Sequence, residues 1–188
     1  MRWQQIVVLA GFALAAAAAG AEEASLEDFN GSWQGTELRI GGDHQGLELT
    51  PEDLDVQIGS AGAGFQVSWT GLSRQPTGGL APQRSEARFT RTERPGVYAF
   101  DPGDTSLLAR LFADPATGNP LQGETLLWAR LAGPTLTVYS LAIALDGRFD
   151  LDRYARTLRD GGMDVHYTRR MENDRVVTIE GRVEGKGG

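Results

Sequence analysis

The chain is 188 residues long, carries 25 acidic against 18 basic side chains for a net charge of −7, and contains no cysteine. That composition excludes disulfides, thiolate metal sites and cysteine nucleophiles. Its overall field does not attract nucleic acid or anionic lipid.

Met1-Arg2-Trp3-Gln4-Gln5 bears one positive charge, and Ile6 to Ala19 is an unbroken apolar and small-residue run. Ala19-Gly20-Ala21 then places small residues where a signal peptidase reads. This is the layout of a secretory signal peptide. The run is short for a bilayer, which needs about 20 apolar residues. Cleavage after Ala21 is expected, leaving 22–188 as one domain, periplasmic or secreted, with no membrane span. Without Arg2 that domain stands at net −8. Lys186 is the only lysine, so nearly all positive charge is arginine.

Ser25-Leu26-Glu27-Asp28 reads as a capped turn, with an acid three residues after the cap. Gly31 to Ile40 reads as the first strand, with Trp33, Glu37 and Arg39 on one face and Leu38 and Ile40 on the other. Residues 41–53 are polar, and Asp55 to Ile58 allows a short strand. Phe65, Val67 and Trp69 alternate with polar residues at period two, the mark of a half-buried strand. Residues 73–83, with Pro76, Gly78, Gly79 and Pro82, read as a loop. Ser85 to Thr92 alternates again, Pro95-Gly96 turns, and Val97 to Phe100 returns.

Leu107, Leu108, Leu111 and Phe112 fit a helical face or a short strand. Thr125 to Leu131 is a strand, and Thr135 to Leu145 is a long one, apolar on both faces. Asp146-Gly147 signals a hairpin. Phe149 to Leu158 fits strand or helix, Met163 to Met171 alternates, and Asn173-Asp174 turns into Val176 to Val183. About eight to ten short strands at close, regular spacing predict an all-β fold, a single antiparallel β-barrel or a sandwich.

Phe29-Asn30-Gly31-Ser32-Trp33 opens the first strand after one capped turn. In this the chain resembles the lipocalin and wider calycin group, whose first strand opens with Gly-x-Trp after a short helical turn. Gly31 and Trp33 match that signature. The resemblance implies a calycin-like barrel whose base is closed by Trp33 packed on an arginine from the last strands, Arg169 or Arg182. The group's later acid-and-tyrosine motif has no match.

A barrel of about eight strands has room for side chains or one small ligand. Trp69, Phe89, Trp128, Tyr139 and Tyr167 are the candidate wall of such a pocket. Arg169, which shares a face with Val165 and Tyr167, is the candidate for a polar head or an internal acid. His44 and His166 are too few and too separated for a metal site. Asp146, Asp150 and Asp152 miss the calcium-loop spacing and read as a solvated turn. No phosphate loop or nucleophile elbow is present. The expected function is therefore binding without catalysis or cofactor: carriage of a small apolar molecule. The alternative is an envelope protein-interaction module with a solid core, using loops at 41–53, 73–84 and 113–123.

Overall fold

The computed structural model describes residues 24–44, 46–76, 79–102, 120 and 124–186. The expected signal peptide, the 107–112 segment and nearly all of the 113–123 loop lie outside them. No helix among the described residues is long and apolar enough to cross a membrane.

Ten strands form one antiparallel sheet that closes on itself. They are β1 (Gly31–Gly42), β2 (Val56–Ala61), β3 (Gly64–Arg74), β4 (Leu80–Arg91) and β5 (Val97–Asp101), followed by β6 (Leu126–Ala132), β7 (Thr135–Ile143), β8 (Phe149–Arg159), β9 (Gly162–Met171) and β10 (Val176–Gly185). Each strand pairs with its sequence neighbour, and β1 pairs with β10 to complete the ring. Neighbouring strands run antiparallel, and closure through β1 and β10 pairs the two terminal strands of the sheet.

Side chains alternate in and out along each strand. Phe65, Val67 and Trp69 of β3 face inward with Met163, Val165 and Tyr167 of β9 and Val177, Ile179 and Val183 of β10, all buried. Strand β1 explains its own untidy pattern. Its register against β10 shifts between Gly35 and Glu37, and such a bulge moves the inward set from odd to even positions. Trp33 and Gly35 therefore face in at the start of the strand, and Leu38 and Ile40 further along. Gly35 cannot be replaced cheaply, because a Cβ there would stand 1.8 Å from the Pro51 carbonyl oxygen.

The expected loop at 73–83 is largely strand: β3 runs to Arg74 and β4 starts at Leu80. Pro82 is tolerated because, among the described residues, β4 pairs with β5 only over Arg88–Arg91, and no ladder forms on that side of Leu80–Ala87. Phe149–Arg159 is strand, and β7 stops at Ile143, two residues before the expected Leu145.

The two ends of the ring differ. Where β1 begins, the 3-10 turn Leu26–Phe29 inserts Leu26 and Phe29 into the apolar core. Asp28 accepts a hydrogen bond from the Ser25 N–H at 2.7 Å, holding the turn as the sequence predicts. Beside it Phe65 stacks on Phe89 at 5.0 Å and meets Tyr98 edge-on at 5.4 Å. At the other end β1 and β2 have already separated, since they pair only over Gly31–Trp33 and Val56–Ile58. Residues 43–55 cover that gap, with Leu47 buried and Leu49 and Leu54 packed on the core. Of the rest of the segment, His44, Glu48, Thr50, Pro51 and Glu52 are exposed.

Candidate functional site

The second end of the ring holds the buried charge. Strand β8 places Asp150, Asp152, Tyr154 and Arg156 on its inner face, opposite Met171, Arg169, Tyr167 and Val165 of β9. The Arg169 guanidinium is buried. It donates to Asp150 Oδ2 at 2.8 Å, donates to the Leu72 carbonyl, and lies 3.7 Å from Asp152 Oδ1. Asp150 also receives Arg74 at 2.7 Å, and Arg74 continues to Glu172 at 3.2 Å. Tyr167 donates its hydroxyl hydrogen to Asp152 Oδ1 at 2.8 Å. The Tyr154 ring lies 4.6 Å from that of Tyr167 and 5.5 Å from that of Trp69.

Two neighbouring aspartates are driven in opposite directions. Burial pushes both carboxyls up. At Asp150, hydrogen bonds and charge from Arg169 and Arg74 outweigh burial and hold it below the usual carboxylate range. Asp152 has only the more distant Arg169 charge and the Tyr167 hydroxyl, so burial wins and raises it to about 6. Burial likewise pushes the Tyr154 and Tyr167 phenols up, keeping both neutral donors.

This polar set floors a cleft of about 380 Å³. Its walls include Trp69 and Leu72 of β3, Ser85 of β4, Leu127 of β6 and Ser140 of β7. The volume falls in the range of small-molecule sites, and the mix of apolar wall and few convergent polar groups fits one. A larger groove of about 480 Å³ runs along the β4–β5 hairpin at the closed end, but it is lined by exposed residues such as Glu93 and Arg94.

Of the six residues expected to bind, the structure brings three to this end. Trp69 and Arg169 line the cleft, and Tyr167 lies beneath it on Asp152. Phe89 is fully buried in the closed-end core. Trp128 and Tyr139 are half-buried and lie off the cleft lining, on the face opposite Ala129 and Val138, their rings stacked 4.9 Å apart and 6° from parallel. Register decides this, because Ala129 and Val138 pair one position along and are buried, so their neighbours must point out.

The expected packing of an arginine on Trp33 is not found. Trp33 donates its indole N–H to the Phe29 carbonyl at 3.0 Å. Arg169 lies at the other end of the ring, and Arg182 bonds Asp164 and the Asp160 carbonyl. Asp146 is a solvated turn residue bound to Arg148 at 2.7 Å, as expected. Asp150 and Asp152 are not; they are interior groups. The sequence signal was the row Asp150, Asp152, Tyr154, Arg156 at spacing two, but the alternate row holds Arg153 and Thr157, so neither face of β8 announces itself as inner. His44 and His166 are far apart in the pairing, and no cluster fit to hold a metal occurs among the described residues.

Comparison with known proteins returns no family model, no curated protein and no solved structure that matches the chain.

Proposed function

We propose that this chain is an exported binding protein that takes a small, largely apolar molecule with a hydrogen-bonding group into the open end of its ring. The observation that carries the reading is the 380 Å³ cleft, with Trp69, Leu72 and Leu127 as apolar wall above Asp152, Tyr154 and Arg169. Arg169 is already compensated by internal acids, so its role is to hold the floor rigid. The neutral phenol of Tyr154, braced by Trp69 and Tyr167, is the group on the cleft that orients a ligand's polar end. Export rests on the N-terminal apolar run. A calycin-like barrel is the finer fold assignment, supported by Gly31 and Trp33 after a 3-10 turn and by closure through β1 and β10.

The test is tryptophan fluorescence of residues 22–188 in a Trp33→Phe/Trp128→Phe background, which leaves Trp69 as reporter. A panel of fatty acids, retinoids and other hydrophobic molecules should give one saturable spectral change at a Kd on the order of 1–10 μM. Leu127→Trp, read by competition, should fill the cleft and abolish the binding. A flat response from a folded protein overturns the reading.

One observation favours the interaction-module alternative. Leu145, at the tip of the β7–β8 hairpin, is 96% exposed, with Phe149 also exposed nearby. Capture of an envelope protein lost in Leu145→Ser, together with a flat ligand panel, would establish that alternative.

A further inference from the structure

A second polar feature lies deeper in the ring, separate from the cleft. Arg156 is 3% exposed, and its Nε and Nη1 are buried without a protein acceptor. No ion pair reaches it among the described residues. Its nearest compensation is the Tyr154 ring, 5.9 Å from the guanidinium carbon. Arg169, two inward positions along the neighbouring strand, has two carboxylates; Arg156 has none. A buried cation in that state is costly unless something neutralises it. Losing the proton does not solve the problem at neutral pH: burial brings Arg156 down only to about 10.

Arg156 faces a small interior cavity of about 30 Å³, roofed by Leu49 and Leu54 of the 43–55 segment and walled by Trp69, Val165 and Ile179. The Trp69 indole N–H on that wall is directed to the Tyr154 phenol, which leaves Arg156 as the donor facing the cavity. Asp53 is the only carboxylate on the lining. Its Oδ2 accepts from the Thr50 N–H at 2.8 Å and the Thr50 hydroxyl at 3.2 Å, and it makes no ion pair with Arg156. The cavity thus has a cationic wall with two donor atoms unanswered by protein, Arg156 Nε and Nη1. A water there needs acceptors for its own hydrogens as well as donors; an anion needs only donors and also cancels the charge.

We propose that this cavity is a binding site for one compact monovalent anion, a free halide or the carboxylate of a short organic acid, held by Arg156 beneath the 43–55 segment. The volume suits an ion of that size and is too small for a phosphate ester or a lipid tail. Because the cavity lies behind Trp69 and Tyr154, this site stands or falls independently of the cleft above it.

The experiment has two arms. Crystals of residues 22–188 grown or soaked in sodium bromide are examined for anomalous scattering. A bromide peak within bonding distance of Arg156 Nε and Nη1 is expected. In solution, the thermal midpoint is followed in bromide, chloride, formate and acetate against gluconate at equal ionic strength. A saturable rise of about 3 °C is expected for the ion that binds, with halide and carboxylate series separating the two sources. Arg156→Met should remove the response while keeping the fold, since an apolar side chain of similar length needs no counter-ion. If Arg156→Met does not fold, the bromide crystal decides alone. Ordered water only, or the Asp53 carboxylate turned onto Arg156, with equal midpoints in all salts, overturns the proposal.

Discussion

The two ends of the ring are built from the same alternating strands and bury opposite chemistry. At the closed end Phe29, Phe65 and Phe89 have no exposed surface, and Tyr98, Met163 and Val183 are buried with them. At the open end the same inward rows of β8 and β9 carry Asp150, Asp152, Tyr154, Tyr167 and Arg169. A solid aromatic end supplies the stability, because each fully buried large apolar side chain contributes about 1.5–3 kcal/mol. That surplus lets the other end hold desolvated charges that a binding site can use and that stability alone would not select. The difference teaches that the ring should be treated as two regions with separable responses to mutation.

The largest effect that can sharpen this contrast is at the closed end. Phe89→Ala should lose about 3–5 kcal/mol of unfolding free energy, measured by urea titration. The pH dependence should remain that of the wild type. A loss below about 1 kcal/mol would mean that this end is not the tightly packed half.

The second effect belongs to the open end and is read by pH. Asp152 is raised in the folded protein, so its contribution to stability is fully present below pH 4 and is lost as pH rises through about 6. Asp152→Asn removes that titration while still accepting the Tyr167 hydrogen bond. The difference between wild type and variant should therefore change by about 2 kcal/mol between pH 4 and 7. Asp150 moves in the opposite sense: held low by Arg169 and Arg74, it adds stability above the ordinary carboxylate range and loses it in acid. Parallel pH curves for wild type and Asp152→Asn would show that this carboxyl is solvated.

The smallest effect tests the outer surface. Trp128→Leu breaks the stack on Tyr139 and should cost about 1 kcal/mol. Trp128 should be quenched by acrylamide more readily than Trp69, the buried one. Equal quenching would return Trp128 to the interior and undo the assignment of faces.

Much of the ring was legible in the chain itself. Period-two runs at 65–69, 85–92 and 163–171 define strands because a strand buried on one face must alternate, and the short glycine, proline and Asn-Asp turns beside them mark hairpin connections. The charged floor was not legible. Asp150, Asp152 and Arg156 are polar residues on a strand whose two faces are both mixed, so no local pattern says which row is inner. Pro82 and the glycines at 78 and 79 pointed to a long loop, yet the ladder to β3 continues, with Pro82 on a side of β4 that has no partner among the described residues. Trp128 looked like a pocket residue because large aromatics prefer burial.

Local sequence thus determined an all-β chain of antiparallel hairpins, since alternation and turn chemistry act between near neighbours. Only the tertiary structure decided the bulge at Gly35, the inward row of β8, the pairing of Arg169 with two acids and the isolation of Arg156. Each of these depends on register between strands that ring closure brings together, and a shift of one residue would reverse every face.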